Sequence, residues 1–221
     1  MRKRIHSRYI FLLAIVLVFT GCSFIPHYSY KQKEKLLHLN LQKWETFQLE
    51  GIIEVNHKVF SFRKNIILKK TWKKIRLDIF DSGVLGLSPT PFLSAYYDSL
   101  LILRLPGNNE LTEISGEKLE KDFSYLDFFL NIEQLNQHKG DILADNQLEL
   151  DNFLFKFSED MKIIGIDQPG KRRAIVLEYD EDLNEIIYLD KEKKIADIII
   201  DKITFSEVSI RSLTNNLQRE L

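Results

Sequence analysis

The sequence predicts an α+β fold that is mostly β: a curved antiparallel meander, an open or closed barrel, with one amphipathic helix before it and one helix inserted midway. Three observations predict it. A two-residue hydrophobic period recurs in segment after segment between Phe47 and Phe205. The connectors between these segments are short and rich in turn residues, among them "PGNNE", "DQPGKRR" and "DKEKK", as hairpins require. A helical period is clear in only two places, Lys31 to Trp44 and Leu119 to His138.

The first residues stand outside that pattern. Arg2, Lys3, Arg4 and Arg8 precede the unbroken apolar run "YIFLLAIVLVF", Tyr9 to Phe19. A positive start and a short apolar run are the marks of an export signal, and the run is too short for a spanning helix, which needs about 20 apolar residues. "VFTGC" follows and resembles the lipobox of bacterial lipoproteins, with Thr20, Gly21 and Cys22 in place and Phe19 where Leu or Val is usual. That resemblance implies cleavage before Cys22 and acylation of its thiol and new amino terminus. Cys22 is the sole cysteine in the chain, so it has no internal disulfide partner. Two or more acyl chains anchor stably, at roughly 0.8 kcal/mol per buried CH₂. Ser23, where an Asp would retain a lipoprotein at the inner membrane, implies export to the outer membrane. The expected organisation is a lipoprotein signal peptide over 1–21, a lipidated tether over 22–30 and one folded domain over 31–221.

In the first helix Leu36, Leu37, Leu41 and Trp44 fall close to one face. The strand candidates then follow in order: "FQLEGIIEVN", "KVFSFRKNIIL", "KKIRLDIF", "SLLILRL", "RRAIVLEY", "EIIYLD" and "KIADIIIDKITF". Ile75, Leu77 and Ile79 alternate with Arg76 and Asp78; Ile175, Leu177 and Tyr179 alternate with Val176 and Glu178. The last strand is less clean, because Ile195, Ile199 and Ile203 share a face with Asp197 and Asp201. "NQLELDNFLFKF" changes phase at Asp151–Asn152, which predicts a hairpin turn or a bulge there. In the mid-chain helix Phe123, Leu126, Phe129 and Leu130 have helical spacing, with Leu135 beyond. A sheet with an apolar concave face must cover it. Helices laid across the opening would do so, and a space left between would be a lipid-sized pocket. Its candidate lining is Ile75, Leu77, Ile79, Leu126, Phe129, Leu130, Ile175, Leu177 and Tyr179.

"FDSGVLGLSPTPF", Phe80 to Phe92, has the composition of a loop, yet it carries Val84, Leu85, Leu87 and Phe92. Gly83 and Gly86 allow tight turning, and Pro89 and Pro91 stiffen the return. Such a loop either folds back over the barrel rim or presents an apolar tip to a partner or a membrane.

The inventory of reactive groups is poor. The formal net charge is -1 and charges of both signs are interspersed, whereas a nucleic-acid site needs a basic stripe. The histidines, His6, His27, His38, His57 and His138, are scattered. No metal, phosphate-loop, dinucleotide or nucleophile-elbow motif occurs in the sequence. "EYDEDLNE" lacks the glycine and spacing of a calcium loop and reads as a solvated turn. Tyr96, Tyr97 and the aromatics of "YLDFF" read as core. No catalytic residue, cofactor or metal is expected.

These stretches together resemble the LolB family of outer-membrane lipoprotein receptors and, more loosely, the related periplasmic carrier LolA. The resemblance is carried by the helix ending in Trp44, the strand around "LEGIIEV", "KIRLDIFDSGVLGLSPTPFLSAY", "FSYLDFFL" and the hairpin "YLDKEKKIADIIIDKITF". It covers about the whole mature chain with soft motifs. It implies an unclosed β-barrel with a helical lid and an apolar interior that accepts acyl chains. It also implies a protruding loop with an exposed leucine: Leu85 and Gly86 match its Leu-Gly, and Val84 stands where the family usually has proline. The function implied is an anchored monomer facing the periplasm. It would take acylated lipoproteins from a soluble periplasmic carrier and release them into the outer membrane, with membrane lipid bound through Cys22. The competing expectation is a scaffold lipoprotein with a filled core that binds another envelope protein by its sheet edge or loop. An envelope enzyme would need a cleft of perturbed carboxylates.

Overall fold

The computed structural model describes residues 27–58, 60–81, 91–107, 110–115 and 132–213. The chain enters through α1 (Tyr30–Lys43). Gln32 turns back at its start, and its Oε1 accepts from the Ser29 N–H at 2.8 Å, which satisfies one of the free donors of a helix end. Of the apolar face expected from the spacing, Leu37, Leu41 and Trp44 are buried, and Leu36 is half-buried against the same core.

A first meander follows: β1 (Thr46–His57), β2 (Phe60–Thr71), β3 (Lys74–Phe80), β4 (Pro91–Tyr97), β5 (Leu101–Arg104) and β6 (Leu111–Ile114). Two short helices, α2 (Ile132–Gln137) and α3 (Lys139–Asp145), precede a second meander. It comprises β7 (Gln147–Leu150), β8 (Phe153–Phe157), β9 (Ile163–Gln168), β10 (Arg173–Tyr179), β11 (Leu183–Asp190) and β12 (Lys193–Thr204). The two meanders join through β1 and β12 into one sheet of order β6-β5-β4-β3-β2-β1-β12-β11-β10-β9-β8-β7. Every pairing is antiparallel. Strands β6 and β7 are its two edges and do not pair, so the barrel is unclosed, with helices, as expected. The phase change at Asp151–Asn152 is a hairpin turn, with both residues in the left-handed region, between β7 and β8.

Three strands escaped the sequence reading. Strand β4 carries Tyr96 and Tyr97, which are buried as expected of core residues. Strand β6 has four residues, and β9 contains Gly165; both are too short or too interrupted to show a period.

The alternation in β12 also differs from the expected one. Between Glu50 and Gly51 the β1–β12 register shifts: Glu50 faces Lys202 while Gly51 faces Ile200. The bulge reverses the phase of β12. Ile198, Ile200 and Ile203 pack on the core, while Ile199 is 38% exposed. Gly51 sits where the two backbones press together, because a Cβ there would lie 2.2 Å from the Ile199 carbonyl oxygen.

The main core joins α1, α2 and α3 to the inward face of the sheet. Leu41, Leu135, Ile142, Leu49, Phe155 and Ile166 are all buried in one cluster. On the opposite face of β3–β5 the chain after β12 returns as a strap, and Leu213 is buried against Tyr96 and Ile102. Beneath it Arg76 donates to both oxygens of Asp78, at 2.8 and 3.1 Å, and to the Arg211 carbonyl at 2.9 Å. The Ser94 hydroxyl donates to Asp78 at 2.6 Å. This explains why Asp78 is buried and Arg76 half-buried on the outward side of β3. All the described strands and their core lie within residues 27–213.

Candidate functional site

An apolar cavity of about 260 Å³ lies over the centre of the concave face. Its walls follow from the register. Phe47 and Ile53 come from β1, Leu68 and Lys70 from β2, and Ile75 from β3. Across the central seam, Ile198 faces Ile53, Ile186 faces Ile198, and Tyr188 faces both Ala196 and Ile175. Trp44, at the end of α1, closes one side. These positions follow inward alternation, including the bulge in β12 that turns Ile198 inward; buried Asp197, of the opposite phase, completes the lining.

Of the residues expected at a pocket, Ile75 and Ile175 line this cavity. Ile79 and Leu177 are buried in the main core and Leu77 packs against it, on the same inward face but outside the cavity wall. Tyr179 lies at the end of β10. Its hydroxyl donates to the Ile163 carbonyl at 2.9 Å, Lys162 sits 5.1 Å over its ring, and burial pushes its phenol pKa far up. Leu126, Phe129 and Leu130 lie outside the described residues, as do Cys22 and the loop residues Val84, Leu85, Gly86 and Leu87.

Phe92 is described. Its ring centroid lies 6.3 Å from that of Phe62, which lies 6.2 Å from that of Phe60, and the three form an aromatic rim. Phe60 is 54% exposed. Lys64 lies 4.2 Å over the Phe92 ring and is ion-paired with Asp81. The rim stands at the end of the barrel where β3 leaves and β4 returns.

The sequence reading missed Lys70. It stands in the inward row, opposite Phe47 on β1 and Ile75 on β3, and is 1% exposed. Its ammonium donates to the carbonyls of Glu45 and Trp72, each at 3.1 Å. The Trp72 N–H donates to the same Glu45 carbonyl at 2.9 Å. These bonds hold the β2–β3 turn, where Trp72 has a φ of 42°. Burial lowers the Lys70 pKa to about 8, with Glu45 acting in the opposite direction. The clue in the sequence is parity: if Ile66 and Leu68 face inward, so must residue 70.

Lys70 also borders a second, polar cavity of about 510 Å³ between the β2–β3 turn and α2, with Glu45, Lys73, Glu133, Gln134 and Gln137 around it. No group of three or more His, Cys, Asp or Glu suited to a metal ion occurs among the described residues. No described helix is long and apolar enough to cross a membrane.

Fold and site together define an open antiparallel barrel with helices packed on its concave face and an apolar cavity at its centre. No family profile matches the sequence. No curated protein matches it either. Among solved structures the chain is similar to a LolA superfamily protein from Nitrosomonas europaea, at 8% identity over 80% of this chain and 95% of that one, with a TM-score of 0.44. It is also similar to a domain assigned to outer membrane lipoprotein sorting from Vibrio parahaemolyticus, at 9% identity over 86% and 100%, with a TM-score of 0.44. A DUF1329 family protein from Desulfovibrio piger is similar at 11% identity over 80% and 92%, with a TM-score of 0.42. With TM-scores below 0.5, these likenesses add no argument to the strand order and cavity described above.

Proposed function

We propose that this chain is a membrane-anchored lipoprotein of the cell envelope. It holds acyl chains in its apolar cavity and helps place acylated lipoproteins in the outer membrane. The single observation that carries the reading is the cavity, an apolar space walled by inward side chains of six strands. A chain entering it exchanges water for hydrocarbon, the exchange that drives lipid binding. The proposed anchor is acylated Cys22, and the proposed membrane contact is the loop of Val84, Leu85, Gly86 and Leu87, continued by Phe92. Transfer needs no covalent step. Chains leave a carrier's pocket for this one and this one for the bilayer.

The test is a titration of residues 23–221 with a fluorescent triacylated lipopeptide. Saturable uptake near one to one, competed by unlabelled lipopeptide, is expected. A folded domain with no uptake would sink the reading and favour a filled scaffold. The tip is tested separately: Leu85→Glu is expected to keep uptake and to lose most transfer into vesicles, and normal transfer would exclude the tip from the mechanism.

A further inference from the structure

The apolar and polar cavities share a wall, and Lys70 stands in both linings. We propose that Lys70 reads the head of the ligand: the site takes an amphiphile whose acyl chain fills the apolar cavity and whose anionic oxygens, carboxylate or phosphate, meet the Lys70 ammonium at the polar one. This rests on the acyl-binding reading and adds a charge preference to it.

Three observations on the page point the same way. The Lys70 stem lies among apolar side chains, with Phe47 and Ile75 beside it. Its ammonium has three donors, of which two are engaged, both by neutral carbonyls. No carboxylate lies within ion-pair distance of it among the described residues. A buried cation without an ionic partner is costly, and an anion that reaches it offsets that cost. The other charges around the two linings are Glu45 just before β1, Lys73 in the β2–β3 turn and Glu133 on α2, and, in the wall of the apolar cavity, Asp197, which is buried and ion-paired with Lys194 at 3.0 Å. Glu45 is half-buried, and Lys73 and Glu133 are exposed to water, which screens them. Lys70 therefore offers the least screened positive charge to a head group. A carboxylate or phosphate oxygen could accept its third N–H as a charge-assisted bond. An alcohol head brings no charge to the same place.

The experiment uses residues 23–221 and displacement of an uncharged pyrenyl-alkane by three competitors: palmitate, lysophosphatidylglycerol and hexadecanol. At pH 7 at least one anionic competitor is expected to bind roughly tenfold or more tighter than hexadecanol, and that preference is expected to fade by pH 9.5 as Lys70 loses its proton. Which anion is preferred assigns the source of the head, a free acid or a phospholipid. Lys70→Met is expected to lose the preference and keep hexadecanol binding. Lys70→Arg is expected to keep the preference at both pH values, and it serves the test if Lys70→Met fails to fold. An equal preference in a folded Lys70→Met, or none in the wild type, would overturn the proposal while leaving acyl binding intact. If neither the pyrenyl-alkane nor hexadecanol binds, the acyl-binding reading itself falls and the head-group proposal falls with it.

Discussion

Gly51→Ala should cost this protein more than an ordinary glycine substitution in a strand. In most strands alanine is the better residue, by roughly 0.5–1 kcal/mol, because glycine loses more backbone entropy. Here the added methyl would lie 2.2 Å from the Ile199 carbonyl oxygen and 3.1 Å from the Ile199 carbonyl carbon and the Ile200 Cα. All three are backbone atoms of β12, so no side chain can swing away. Relief requires the bulge between Glu50 and Gly51 to open or the central β1–β12 pairing to shift. Forcing a backbone shift in a packed core costs about 1–3 kcal/mol. The expected result in urea is a lower midpoint with an unchanged slope. The comparison is Gly140→Ala in α3, where a Cβ meets nothing within 4 Å; there helix propensity predicts a neutral or stabilising change of up to about 1 kcal/mol. The same bulge turns Ile198 into the cavity wall, so Gly51→Ala should also weaken acyl-probe uptake. A Gly51→Ala protein as stable as wild type would refute the argument that this glycine exists for backbone contact.

Further outcomes follow from the packing. Leu41→Ala, at a fully buried position of α1, should lose about 2–5 kcal/mol in urea; a loss under 1 kcal/mol would mean that α1 is not anchored in the core. Ala196→Leu adds bulk to the cavity wall and should lower acyl-probe affinity about tenfold, roughly 1.4 kcal/mol, in a protein whose circular dichroism is unchanged. Unaltered affinity would place the probe elsewhere. Lys70 predicts a pH dependence. Its folded pKa of about 8 lies below its ordinary 10.5, so between those values the unfolded chain binds more protons and stability rises with pH. Relative to Lys70→Met, the wild type should gain roughly 2 kcal/mol between pH 7 and 9.5, at 1.36 kcal/mol per unit of pKa. A constant difference across that window would show that Lys70 is not desolvated.

The parts of the fold visible in the sequence were those where burial and alternation agree. Ile175 and Leu177 on β10, and Ile79 on β3, follow the two-residue period and are buried. Leu37, Leu41 and Trp44 follow the helical one. The misreadings have specific causes. In β12 the period was read straight through Ile199, but a bulge is one extra residue and leaves no mark in composition. Its trace is in the partner strand, as a glycine among large residues. In β3 the alternation alone does not show what covers Arg76 and Asp78; a strap that carries Arg211 and Leu213 does so, a contact between residues far apart in the chain. Lys70 was passed over because the strand candidate stopped at Leu68 and lysine is rarely buried, whereas the strand runs on to Thr71. Hence the pocket's walls at Ile75 and Ile175 were legible, whereas its far side, set by the central seam, and its charged end were not.

The small size of the cavity is itself part of the functional argument. At about 260 Å³ it lies just below the usual range for ligand sites, roughly 300–1,000 Å³. A long acyl chain held there leaves part of its length against the helices or in water. Each CH₂ that stays wet forgoes about 0.8 kcal/mol that a bilayer would return in full. A deep, enclosing pocket would trap its cargo, whereas an incomplete one keeps the bilayer the better solvent. Strand order makes such incompleteness structural: β6 and β7 are left unpaired across the gap, and among the described strands no ladder draws the walls together around a ligand. A charge at one end of the cavity would then contribute selectivity without depth. Lys70 can favour an anionic head while the chain's own hold stays weak. On this reasoning a variant that enlarges the cavity, such as Ile186→Ala, should bind an acyl probe more tightly and deliver it to vesicles more slowly. Faster delivery with tighter binding would contradict a transfer driven by the bilayer's better solvation of the chain.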